Sequence, residues 1–149
     1  STMLVGTTSP ELKELAAEIL SKEIYVKPTK DLQAIFWANP ETNVIEWCIG
    51  FDSFLGKTCQ IHVVNFNKKY TPRKLLFAVF DYAFNKAGVE TLLGVVNSNN
   101  EEAMKYDQNL GFKEVCRLPK MHDDGGDLVL FAMNKADCRF IRGKFKEAA

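Results

Sequence analysis

The residues of this 149-residue chain that could do chemistry are two candidate proton carriers and one group of cations. His62 sits inside the β-prone run Thr58–Asn65. Imidazole titrates near neutrality, so a strand histidine serves either as a general base or as a structural hydrogen-bonding group. Glu46 lies between Ile45 and Trp47. A carboxyl held among apolar groups has a raised pKa and can exchange a proton near neutral pH. Strand alternation favours the competing reading, in which Glu46 faces water. Lys68, Lys69, Arg73 and Lys74 surround Tyr70-Thr71-Pro72, where a helix is expected to start. Cations at that place suit an anion, because helix N-termini present unpaired N–H groups; the competing reading is a solvated loop. His122-Asp123-Asp124-Gly125-Gly126-Asp127 concentrates negative charge that would attract a cationic amine, or it is ordinary turn chemistry. Cys48, Cys59, Cys116 and Cys138 show no Cys-x-x-Cys spacing and no nearby histidine pair, so no metal site is expected and they read as reduced core thiols.

These residues need a scaffold. Ser9-Pro10-Glu11 is an N-cap, a first-turn proline and an early acid, and Leu12, Leu15, Ala16 and Ile19 follow at helical spacing to about Lys22. Leu32–Ala38, Val44–Phe51 and Thr58–Asn65 read as three antiparallel strands, with turns at 39–43 and Asp52–Lys57. Thr71 as N-cap and Pro72 at the first helical position open what reads as the longest helix. Its apolar face is Leu75, Leu76, Val79, Phe80, Ala83 and Phe84, and Gly88 ends it. Thr91–Val96 is a buried strand, Asn100–Asn109 a helix with Glu101 and Glu102 in its first turn, and Phe112–Leu118 and Leu128–Met133 the last strands. The predicted order, α-βββ-α-β-α-β-β, is that of a single α+β domain over 1–149 with a mixed, mostly antiparallel sheet.

The stretch Val96-x-x-x-Asn100-x-x-Ala103, followed by Leu110-Gly111-Phe112, resembles the acyl-CoA-binding segment of the GNAT N-acetyltransferase superfamily. The likeness is clear from about Thr58 to Met133. It looks closest to the small ribosomal-protein-acetyltransferase-like members, including phage-encoded ones. The resemblance implies a three-layer GNAT-like fold, a central sheet flanked by helices. It implies acetyl-CoA as cosubstrate and direct transfer of acetyl from the thioester to an amine acceptor, a protein or a small molecule. Its pantetheine would pair with the backbone of Ile61, His62, Val63 and Val64, where one strand splays from the next. Its phosphates would lie against Lys68, Lys69, Tyr70, Thr71, Arg73 and Lys74, and Asn100 and Ala103 would also contact it. The family usually places Gln/Arg-x-x-Gly-x-Gly/Ala before this helix, whereas here the loop has no glycine and Pro72 removes a donor. A helix tyrosine four residues before the glycine often protonates the leaving thiolate in this family. That position is Asp107 here, and Tyr106 is one residue early, so Tyr106 reads as an acid or as a packing residue. His62 and Glu46 are the candidate bases. A catalytically degenerate GNAT-like domain that binds CoA or a partner protein is the alternative.

Bulk properties fit a globular domain. Nineteen basic and nineteen acidic residues cancel, so no net field draws the chain to nucleic acid or to an anionic membrane. No apolar run approaches the roughly 18 residues of a membrane span. With reduced thiols, a cytoplasmic location is expected. The tail residues Arg139, Arg142, Lys144 and Lys146 are locally basic and read as solvated. Neither oligomeric state nor acceptor identity is written in the sequence.

Overall fold

A computed structural model describes residues 3–6 and 9–141; Arg142, Lys144 and Lys146 of the basic tail lie outside the described residues. One seven-stranded sheet organises the chain. Its strands are β1 (Met3–Gly6), β2 (Gln33–Asn39), β3 (Val44–Leu55), β4 (Thr58–Asn65), β5 (Thr91–Asn97), β6 (Lys113–Leu118) and β7 (Leu128–Asn134), arranged β1-β2-β3-β4-β5-β7-β6. All neighbours are antiparallel except β4 and β5. The mixed, mostly antiparallel sheet is as expected, but β1 is an addition: its four residues carry too little pattern to separate a strand from a tail, and pairing with β2 defines it.

Helices cover both faces. On one, α1 (Pro10–Ile24) packs Ala16 and Leu20 against Leu32, Ala34, Phe36, Cys48 and Val64. Leu15, expected on the buried stripe, is 36% exposed, and Leu20 replaces it. The fit is tight at Gly50, where a Cβ would meet Leu20 Cδ1 at 2.7 Å. Ser9 caps α1 by accepting from Leu12 N–H, and Tyr25 closes it in the left-handed conformation.

On the other face, α2 (Arg73–Asp81) runs into a π-helical turn, Tyr82–Lys86, and buries Leu75, Val79, Phe80, Ala83 and Phe84 over β3, β4, β5 and β7. The longest helix is α1, not α2. Pro72 stands at the N-cap and Thr71 makes no capping bond, a correction to the expected start. The third helix, α3 (Glu101–Leu110), has the caps its sequence specifies. Asn100 Oδ1 accepts from Ala103 N–H, and Gly111, at φ 111°, donates its N–H to the last turn. Strand β3 extends beyond Phe51 to Leu55 through a bulge, so only Gly56 and Lys57 separate it from β4.

Candidate active site at the divergence of two strands

The parallel pair β4 and β5 stays together for only three positions, Thr58–Gln60 against Thr91–Leu93. From Ile61 and Gly94 onward the two strands have no mutual partners among the described residues, and the sheet opens. Alternation decides which backbone groups line the opening. Phe66 N–H donates to Glu46 C=O, so the β4 residues bonded to β3 are the even-numbered ones. His62 and Val64 therefore spend their backbone groups on Gly50 and Cys48, and only Ile61 and Val63 point theirs into the gap. This corrects the expectation that all four would be available. On the other side, Lys135 N–H to Glu90 C=O and Ser98 N–H to Asp127 C=O fix the β5–β7 phase, which turns the backbone of Val95 toward the gap. Unsatisfied peptide groups on both banks are suited to an amide-bearing chain. Five strand residues, Ile61–Asn65, make the gap about 17 Å long at roughly 3.3 Å per residue.

At the wide end β4 passes into α2. Asn65 organises this loop: its Oδ1 accepts from Asn67 N–H at 2.9 Å and Lys68 N–H at 2.9 Å, and its Nδ2 donates to Lys69 C=O at 3.2 Å. Lys68 takes a left-handed φ of 53°. Asn65 thus does locally what loop glycines would do elsewhere. Lys68, Lys69, Arg73 and Lys74 are all exposed around the first turn of α2, whose N–H groups lack intrahelical partners. Arg73 also lies over the Phe77 ring, 5.6 Å from its centroid. Tyr70 is 99% exposed beside them. Charge and a helix dipole fit a phosphate here in place of a glycine cradle.

Two titratable groups flank the narrow end from opposite faces. His62 shares the α1 face with Val64 and is nearly buried. Its Nε2 is 2.7 Å from Asp52 Oδ1, and Asp52, 2% exposed, also accepts from Thr29 N–H at 3.1 Å. With Nε2–H donating to the carboxylate, the Nδ1 lone pair is the one left to accept a proton. Asp31 ties the same loop to the β3 bulge, accepting from Ser53 and Phe54 N–H. On the other face, Asp107 of α3 hangs over Gly94, where a Cβ would lie 3.3 Å from Asp107 Oδ2.

The remaining candidates are placed less centrally. Tyr106 turns away from Gly94. Its hydroxyl is 2.6 Å from Thr71 Oγ1 and its ring is 6.5 Å from Trp47, so it joins α3 to the start of α2, and burial raises its phenol. Glu46 is half-buried and takes Asn67 Nδ2, lining an open cleft of about 340 Å³ with Phe66 and Val44. It lies opposite Phe66, four β4 positions or about 13 Å from His62, and the structure does not bring the two together. Asn100 and Ala103 meet each other at the start of α3. The acidic hairpin is turn chemistry: Asp124 holds Gly126 N–H and Asn97 Nδ2, and Asp127 holds Lys120 N–H and Arg117. Backbone bonding from Gly126 is the main reason Asp124 titrates low. Cys48, Cys59 and Cys138 are buried, and burial lifts the first two thiols to about 12; Cys116 is exposed on β6, a correction. Asp52 was missed because it read as part of a turn, although it stands two residues after Gly50, the partner of His62.

Solved structures share this architecture. A spermidine/spermine N-acetyltransferase of Vibrio cholerae superposes over 100% of this chain and 99% of its own, with TM-score 0.69 and 11% identity. The fold is the GNAT fold. A Vibrio cholerae spermidine N-acetyltransferase in complex with CoA and spermine matches 89% of this chain and 77% of its own, at TM-score 0.64 and 13% identity. A GNAT-family acetyltransferase of Bacillus anthracis matches 69% and 66%, at TM-score 0.56 and 18% identity. No protein-family model and no curated protein matches the sequence. No helix among the described residues is long and apolar enough to cross a membrane.

Proposed function

We propose that the protein is an acetyl-CoA-dependent N-acetyltransferase. The observation that carries this reading is the parting of β4 and β5 after three paired positions, with the backbone of Ile61, Val63 and Val95 turned into the gap. Acetyl-CoA has the matching chemistry: two amides in its pantetheine arm and phosphates at one end. The arm lies along the gap, and its phosphates meet Lys68, Lys69, Arg73 and Lys74 at the start of α2. The thioester then reaches the narrow end at Ile61 and Gly94. Two of the structural neighbours are spermidine or spermidine/spermine N-acetyltransferases, and one of them is solved with CoA and spermine, which supports the same class of reaction here. The finer likeness to ribosomal-protein-acetyltransferase-like and phage-encoded members rests on the motif residues from Val96 to Phe112.

The chemistry follows from the two faces. A neutral amine arrives on the α1 side, where His62, held by Asp52, takes its proton. Asp52 fixes the ring orientation and compensates the imidazolium. A backbone N–H of β4 near Val63 stabilises the oxygen as charge develops on it. The nitrogen–carbon bond forms, the carbon–sulfur bond breaks, and no covalent enzyme intermediate is needed. The thiols of Cys48 and Cys59 are unsuited to one, being held protonated by burial. Tyr106 and Thr71 set the spacing between α3 and the phosphate-binding end.

The test is a calorimetric titration with acetyl-CoA followed by free-thiol release with a panel of amines. Micromolar binding and amine-dependent thiol release support the reading. Binding without release for any amine favours the CoA-binding module, for which the glycine-free loop is the supporting feature. Absence of binding overturns the proposal.

A further inference from the structure

Among the described residues, the apolar packing beneath α1 stops at Val64 of β4 and takes in nothing from β5, β7 or β6. Those three strands nevertheless carry a largely apolar face on the α1 side. Val129, Phe131 and Met133 of β7 are buried on the other side, so the alternate residues Leu128, Leu130 and Ala132 turn toward the α1 side. Cross-strand partners share a face, which lets three rows be followed outward from the opening. The middle row runs from Val95 on β5 through Leu130 to Cys116 on β6. Leu93, Ala132 and Lys113 form the row at the narrow end, and Asn97, Leu128 and Leu118 the row at the wide end. Leu93, Val95, Leu128 and Leu130 belong to neither apolar cluster of the protein. Val95 is 42% exposed although β5 lies inside the sheet, and Leu118 is 50% exposed. A contiguous apolar face left bare in this way marks a binding surface.

Resting on the acetyltransferase reading, we propose that this face binds the acceptor, and that the acceptor is a primary amine at the end of an uncharged apolar arm rather than a polyamine. Two observations single out that occupant. The face is continuous with the opening: Val95 stands on one bank and His62 on the other, both on the α1 side, so an amine held at His62 extends over Val95. Its charge is also wrong for a polyamine. Lys113 is the one charged side chain in the three rows, and no carboxylate stands among them. Two acids at the margins are committed: Asp52 holds His62 and Thr29 N–H, and Asp124 holds Asn97 Nδ2 and Gly126 N–H. A second ammonium on the acceptor would find no partner on the face and would be repelled by Lys113, whereas hydrocarbon leaves water against Val95 and Leu130. From Val95 to Cys116 is two strand spacings, about 10 Å. An alkyl chain of about eight carbons spans that distance.

The experiment uses the full chain with saturating acetyl-CoA and reads thiol release with butylamine, hexylamine, octylamine, spermidine and a short unmodified peptide. The kcat/KM should rise about twofold for each added methylene, since full burial gives at most about fourfold and a face covers one side of the chain. Octylamine should exceed spermidine by about 10-fold or more on the same grounds. Cys116 is exposed on the edge strand, where a charge is tolerated. Cys116→Asp should lower kcat/KM for octylamine by about 10-fold, raise it for spermidine, and leave butylamine, too short to reach the site, within about twofold. A flat alkylamine series, or spermidine preferred to octylamine, overturns the inference and leaves the acetyltransferase reading in place. An unchanged octylamine-to-spermidine ratio in the Cys116→Asp protein does the same. Acetylation of the peptide alone would give the face to a polypeptide and likewise overturn it. A parent that binds acetyl-CoA but releases thiol with none of these acceptors overturns the acetyltransferase reading itself.

Discussion

Replacing Asp107 by asparagine should change how stability depends on pH, whatever the protein catalyses. Burial raises this carboxyl from 3.8 to about 7. Each unit corresponds to about 1.4 kcal/mol, so ionised Asp107 destabilises the fold by about 4 kcal/mol at most in alkaline solution. The folded value lies above the unfolded one. Stability from this group is therefore complete below about pH 4, declines as pH rises through the interval, and is lost above about 7. The asparagine has no such dependence, and the cost of burying its amide is the same at both ends. Urea unfolding of parent and variant at about pH 4.5 and about pH 8.5 isolates the effect. The variant should gain at least about 2 kcal/mol on the parent between those two conditions. Parallel stability curves, within about 0.5 kcal/mol, would show that the carboxyl is solvated and that the argument from its burial fails.

Four other substitutions probe three separate parts of the account. Arg73→Glu should weaken acetyl-CoA binding by more than an order of magnitude in a protein that still melts cooperatively; unchanged affinity would remove the phosphates from the start of α2. Tyr106→Phe removes the bond to Thr71 but keeps the ring against Trp47, so it should lower stability by about 1 kcal/mol and leave kcat within a few fold; a 10²-fold fall would place the phenol in the proton path. Asn100→Ala should cost about 1 kcal/mol through its lost cap, and Gly111→Ala at least as much, since φ there is 111°; melting curves indistinguishable from the parent would contradict the described ends of α3.

The sequence carried the scaffold well where local chemistry decides it. Ser9-Pro10, Asn100 and Gly111 name helix ends whatever the tertiary context, and the structure has all three caps. Thr58–Asn65 is a strand with the expected bounds. What the sequence did not carry depends on neighbours. Strand β1 exists through its pairing with β2, and the bulge that extends β3 is fixed by Asp31, more than twenty residues earlier. Thr71 satisfies the rules for an N-cap, yet its hydroxyl finds Tyr106 instead. The site shows the same division. The gap, the basic start of α2 and His62 follow from element order and resemblance. Asp52 and the contact of Asp107 with Gly94 emerge only when residues distant in sequence are brought together, and so does the backbone phase that leaves Ile61 and Val63, but not His62 and Val64, facing the opening.

A crystal structure of the chain with CoA tests the central claim most directly. The pantetheine arm should run between Ile61–Val63 and Val95 and bond their backbone groups, with the phosphates against Lys68–Lys74 and the sulfur at the narrow end beside Ile61. CoA bound elsewhere on the molecule, with the opening between β4 and β5 left to water, would contradict it.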